Sequence, residues 1–132
     1  MSQEILKALL KKDNRTDVEV FSRGTYVESE LKTPPKIKNF LQKNNIYPPQ
    51  HIPVQYCRQD LENADLIFVM TQYQYDELTD KYAEYSDKIY MLNEYIYNSS
   101  KDVPDPIGLE GKSFEKSAEK LKELIETLYK KI

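Results

Sequence analysis

Leu66-Ile67-Phe68-Val69-Met70 is the most apolar run of the 132-residue chain, and its length decides the fold class. A short unbroken apolar run suits a strand buried on both faces, as in a parallel sheet; a helix would need more residues. Thr71 directly after it can cap a helix over 72–81. Lys88-Ile89-Tyr90-Met91-Leu92 reads as another short strand. So does Val18-Glu19-Val20-Phe21, which runs into Ser22-Arg23-Gly24-Thr25, where Gly24 permits a sharp turn.

Helices fill the intervals. Ile5, Leu6, Leu9 and Leu10 give residues 1–12 helical spacing, with Lys11 and Lys12 favouring the C-terminal end. Asp13-Asn14-Arg15 makes a turn. Thr33-Pro34-Pro35 starts a second helix that Asn44-Asn45 ends, with Ile37, Phe40 and Leu41 on its apolar face. Asp60–Ala64 suggests one helical turn. Ser113 is expected to cap the last helix, whose stripe of Phe114, Ala118, Leu121, Leu124, Ile125 and Leu128 is core packing. This alternation predicts an α/β fold in three layers, a short parallel sheet flanked by helices, in a single domain over residues 1–132.

Composition narrows the function classes. A net charge of -3 with mixed signs points to no nucleic acid and no membrane surface. One cysteine, Cys57, excludes an internal disulfide, and one histidine, His51, excludes a histidine metal cluster, so no metal is expected. Cys57 reads as a small half-buried side chain. With no apolar run near a membrane span and no hydrophobic signal core, the expected location is the cytoplasm. Of the eleven tyrosines, most of those between Tyr73 and Tyr97 that fall at helical or strand spacing read as packing.

Val103-Pro104-Asp105-Pro106-Ile107-Gly108 reads by itself either as a surface turn after a strand or as a loop that carries chemistry. Flanking prolines fix φ at their own positions, and Pro106 pushes the preceding Asp105 towards extended geometry. Asp105 is therefore expected to project from a loop of restricted freedom, as an acid that meets a substrate at a set distance must.

In order along nearly the whole chain, these residues resemble the low-molecular-weight protein tyrosine phosphatases. Ser22-Arg23-Gly24-Thr25 is similar to that family's Ser-Ala-Gly-Thr, and His51 falls where its His-x-x-Arg-Gln-Leu segment begins. Ala64-Asp65-Leu66-Ile67-Phe68-Val69-Met70 resembles its Ala-Asp-Leu-Ile-Leu-Val-Met strand. Asp102–Gly108 resembles its acid loop, usually Asp-Pro-Tyr or Asp-Pro-Phe. The resemblance implies phosphomonoester hydrolysis on a phosphotyrosine-type substrate, without a cofactor. It makes Asp105 the general acid, and Ser22 and His51 supports of the phosphate loop. A thiolate would attack phosphorus, backbone N–H groups and an arginine would hold the phosphate oxygens, and the aspartic acid would protonate the leaving phenolate.

Departures from the pattern are as informative. The family's first strand feeds a Cys-x-x-x-x-x-Arg-Ser loop, and Met1-Ser2-Gln3-Glu4-Ile5-Leu6 resembles the helix after that loop. No Cys is followed six residues later by Arg; Cys57 meets Asn63 there. Val54 stands in place of the family's arginine, and Ile107 in place of the aromatic after the acid. The resemblance thus implies an N-terminally truncated domain, inactive as it stands, whose missing first strand is central. Val18–Phe21 and Leu66–Met70 would then lie two inter-strand spacings apart, roughly 10 Å. The lost burial would be on the order of 8–15 kcal/mol. Three outcomes follow: a gene product longer at its N-terminus, two strands that close up, or a strand supplied by a partner, which includes a homodimer. The alternative function is a pseudophosphatase that binds partners or dimerises without catalysis. An in-frame strand and Cys-x-x-x-x-x-Arg upstream of Met1 is the expected finding.

Overall fold

The structure is a computed structural model that describes residues 1–27, 33–49 and 52–132. In chain order the elements are α1 (Ser2–Lys12), α2 (Pro35–Lys43), α3 (Arg58–Asn63), β1 (Ile67–Val69), α4 (Gln72–Lys81), a 3-10 turn (Ala83–Lys88), β2 (Ile89–Met91), α5 (Leu92–Tyr97), a second 3-10 turn (Pro106–Gly108) and α6 (Gly111–Tyr129). This is a small α/β fold with a short parallel sheet and helices around it. The chain divides into two compact units, residues 1–54 with 105–132, and residues 55–104.

In the first unit α1 packs on α6. Ile5, Leu6 and Leu10 of α1 are buried, as is the whole predicted stripe of α6. Phe40 of α2 meets Phe114 of α6 edge to face, ring centroids 6.3 Å apart, the geometry that aromatic quadrupoles favour. The ends of α1 and α6 are tied by polar groups. Arg15 donates to the carbonyl of Ile132 at 2.9 Å and pairs with Asp17 at 2.8 Å, and Tyr129 donates its hydroxyl to Asp13. The guanidinium of Arg15 holds the Asp17 carboxyl below its ordinary value.

α1 and α2 end alike. Asn14 and Asn45 take left-handed backbone at φ 55° and 62°. The amides that follow turn back on the helix: Arg15 N–H reaches Leu10 O at 2.9 Å, and Ile46 N–H reaches Leu41 O at 2.8 Å. Glycine usually fills this position. With only three glycines, the chain uses asparagine, the other residue that tolerates the left-handed region.

In the second unit β1 and β2 pair in parallel, Ile67 opposite Ile89, Phe68 opposite Tyr90 and Val69 opposite Met91. Alternation sends Val69, Ile89 and Met91 into one core with Leu61 and Leu78, and Tyr56, Tyr75, Tyr82 and Tyr85 pack against it. On the opposite face Phe68 and Tyr90 meet Tyr95 of α5, at 4.9 and 5.1 Å between centroids. Thr71 caps α4 as expected, its hydroxyl accepting from Gln74 N–H at 3.1 Å.

Four expectations need correction. The apolar run is not buried on both faces: Leu66, just before β1, is 41% exposed, and Phe68 of β1 is only half-buried, its ring covered by Tyr90 and Tyr95. Val18–Phe21 forms no strand, and the β1–β2 pair is the whole sheet among the described residues. A strand exists only through a partner's backbone, and no described segment supplies one. Ser113 does not cap α6: Phe114 N–H already bonds Glu110 O at 3.3 Å, so the helix begins at Gly111 with Glu110 as its cap. Leu92, read as the last residue of a strand, instead opens α5 (Leu92–Tyr97), a helix the sequence did not suggest, with Leu92 and Ile96 buried.

Replacing Asn14 or Asn45 by alanine is expected to lower unfolding stability by about 1 kcal/mol. Glycine at either position should leave it equal or higher. Urea denaturation of the four variants decides, and alanine variants as stable as the parent would contradict the account.

Candidate functional site

Asp105 opens the second 3-10 turn with extended backbone, φ -83° and ψ 116°, the geometry its position before Pro106 imposes. Its side chain is exposed but does not simply project. Oδ1 accepts the N–H of Ile107 at 3.0 Å, so the carboxylate caps its own turn. Pro106 is buried and anchors the turn, and Leu109 N–H closes it on Pro106 O at 3.0 Å. Among the described residues that cap is the carboxylate's one hydrogen bond, and it engages Oδ1 alone.

Lys36, in the first turn of α2, reaches the same turn. Its ammonium donates to Ile107 O and Leu109 O, both at 2.6 Å, and to Glu110 Oε1 at 2.8 Å. An open cavity of about 240 Å³ lies beside it, lined by Lys36, Phe40, Lys43, Glu110, Phe114 and Glu115 among others. Neither Asp105 nor Ser22 lines that cavity.

Ser22 supports the start of α1. Its hydroxyl donates to Gln3 Oε1 at 3.0 Å, and Gln3 Nε2 donates to Glu4 Oε1 at 3.1 Å. Glu4, only 9% exposed, pairs through Oε2 with the amino group of Met1 at 3.2 Å. A carboxylate in the first turn of a helix complements its positive end. Two residues on, Gly24 N–H donates to Val54 O at 2.8 Å, and a Cβ on Gly24 would come within 2.5 Å of the Val27 side chain. The glycine is needed for close approach. No hydrogen bond joins Ser22 to Asp105 among the described residues. His51 lies outside the described residues.

Cys57 is exposed, not half-buried, and caps α3. Its N–H donates to Asp60 Oδ2 at 3.1 Å, and its sulfur lies 3.6 Å from the same oxygen. A carboxylate is the wrong neighbour for a phosphate-binding nucleophile. Among the described residues no group of three or more His, Cys, Asp or Glu side chains could hold a metal ion, and no helix is long and apolar enough to cross a membrane. Sequence reasoning missed the hold of Lys36 on the Asp105 turn. The one available signal was a lysine in a helix's first turn, where the helix dipole disfavours it.

The sequence model of the family described as "Low molecular weight phosphotyrosine protein phosphatase" matches residues 1–132. The chain belongs to this family. Among the family's members, the protein-arginine-phosphatase of Bacillus subtilis (strain 168) is 26% identical over 132 residues, which covers all of this chain and 87% of that protein. The protein-arginine-phosphatase of Geobacillus stearothermophilus is 24% identical over 125 residues, 95% of this chain and 84% of that protein. The low molecular weight protein tyrosine phosphatase of T. tengcongensis superimposes with a TM-score of 0.89 at 29% identity, over 99% of this chain and 88% of that one. In this phosphatase-family chain, residues 1–132 contain no Cys-x-x-x-x-x-Arg.

The cap on Ile107 separates two variants. Asp105→Asn keeps an accepting oxygen and is expected to change stability by less than about 0.5 kcal/mol, whereas Asp105→Ala should cost about 1 kcal/mol. Equal losses in the two, read from urea melts, would mean the cap contributes nothing.

Proposed function

We propose that the chain is a domain of a phosphatase acting on phosphorylated protein side chains through a phosphocysteine, with Asp105 as general acid. We propose further that residues 1–132 by themselves turn over no substrate. One observation carries the reading: Asp105 stands exposed at the start of a proline-fixed turn, at the place in chain order where the family keeps its acid. Ser22, bonded to Gln3 in the first turn of α1, supports the helix that follows the phosphate loop in the family, and His51 is assigned the same task. The family match over residues 1–132 supports a single domain. That domain works in the cytoplasm.

A phosphotyrosine-type ester is the first substrate, and the names of the curated relatives add phosphoarginine as the second to test. Either leaving group needs a proton: phenolate has a conjugate acid near pKa ~10, and a guanidine is a stronger base still. An acid at Asp105 serves both. A second reading, a pseudophosphatase that binds or dimerises, is favoured by the exposed apolar side chains of Phe21, Ile52, Val54 and Leu66.

Assays with an aryl phosphate, a phosphotyrosine peptide and a phosphoarginine peptide test the proposal. Residues 1–132 should release no phosphate above buffer; turnover that Asp105→Asn abolishes would mean the nucleophile is misplaced. A fusion placing a relative's first strand and Cys-x-x-x-x-x-Arg loop before Met1 should be active. In that fusion Asp105→Asn should lower kcat by about 10²–10⁴. A folded but inert fusion, with saturable capture of a phosphopeptide by residues 1–132, would put the second reading in its place.

A further inference from the structure

Among the described residues, one side chain from outside the acid turn hydrogen-bonds its backbone. Its own bonds are few: Ile107 N–H to Asp105 Oδ1, and Leu109 N–H to Pro106 O. Packing adds little at its tip, since Ile107 is 52% exposed and a Cβ on Gly108 would meet nothing within 4 Å. Left alone, so short a turn would fray. Lys36 supplies what is missing. An ammonium has three N–H donors and no acceptor, and here three acceptors surround it: Ile107 O, Leu109 O and Glu110 Oε1. The ring of Phe114 lies 5.6 Å from the nitrogen and gives a cation–π contact besides. The lysine is only 22% exposed.

Its placement also runs against local preference. Lys36 sits in the first turn of α2, where a cation opposes the helix dipole. A cation placed there and fully engaged with a turn some seventy residues away is explained by that turn and not by its own helix. Ile107 is the shared link, for its N–H is taken by Asp105 and its C=O by Lys36. The two groups lie in successive peptides joined at Ile107 Cα, so freeing the carbonyl releases ψ at the residue whose N–H orients the carboxylate.

We infer that Lys36 is the positioning residue of the acid loop, fixing the Ile107–Leu109 backbone and through it the direction of Asp105. The inference rests on the reading of Asp105 as the acid. Arginine cannot replace the lysine fully, because its planar fork does not match three acceptors grouped around one nitrogen.

Amide ¹⁵N relaxation of residues 1–132 tests the hold without any need for turnover. Order parameters at Ile107 and Leu109 should lie near about 0.85 in the parent and fall below about 0.6 in Lys36→Met, while those of α6 from Ala118 to Leu128 stay at the parent level. Lys36→Arg should fall between, and it provides the same readout if Lys36→Met does not fold. Parent-like values at Ile107 and Leu109 in the variant, or an equal fall along α6, would overturn the inference. In the active fusion Lys36→Met should lower kcat at unchanged KM, and add nothing on an Asp105→Asn background. A fusion indifferent to Asp105→Asn removes the acid reading while the relaxation result still stands or falls alone.

Discussion

One stripe of apolar side chains on α6 has to leave water, and the first unit is arranged around that requirement. Fully burying a large apolar side chain contributes roughly 1.5–3 kcal/mol, and the stripe carries five of them besides Ala118. α1 supplies Ile5, Leu6 and Leu10 to the unit's buried set, and α2 supplies Phe40 to the ring of Phe114. The acid turn then follows from position: it immediately precedes α6, so wherever that helix is seated the turn must end nearby. Burial seats the helix, and Lys36 and the cap of Asp105 set the finer geometry of what precedes it.

That division explains what could be read from the residues beforehand. Helices with a periodic apolar face, α1, α2 and α6, were legible, because burial and periodicity are properties of a single segment. Thr71 and the asparagine ends were legible for the same reason. Val18–Phe21 was not, since its strand character depends on backbone groups contributed from elsewhere. α5 escaped because six residues do not complete two turns of a pattern. Ser113 lost its expected role to a carbonyl three residues earlier, a choice no propensity reveals. At the site, the identity of Asp105 came from its prolines and its order in the chain. The carbonyls of the turn that follows it are bonded by Lys36, seventy-one residues from Ile107 in the chain.

The chemistry is distributed unevenly over the described residues. Asp105 stands exposed at the start of its turn, and Ser22 beneath the start of α1 is engaged in a chain of hydrogen bonds to Gln3 and Glu4. The one thiol instead sits in a reciprocal cap with Asp60, an arrangement that suits a helix start and not attack on phosphorus. Membership of a phosphatase family and possession of its nucleophile are therefore separate statements here, and the first does not supply the second.

The two units also differ in what light can see of them. The chain has no tryptophan, and of its eleven tyrosines all but Tyr26, Tyr47 and Tyr129 lie in residues 55–104. There five of the eight pack as ring pairs, Tyr56 on Tyr82, Tyr82 near Tyr85, and Tyr90 with Tyr95 on Phe68. Near-ultraviolet dichroism and tyrosine emission will consequently follow the sheet-bearing unit. The helical unit, rich in buried leucine and isoleucine, contributes chiefly to the far-ultraviolet signal. Comparing the two spectral windows along one melt thus reads each unit in turn, and their coincidence or separation measures whether the chain unfolds as one body.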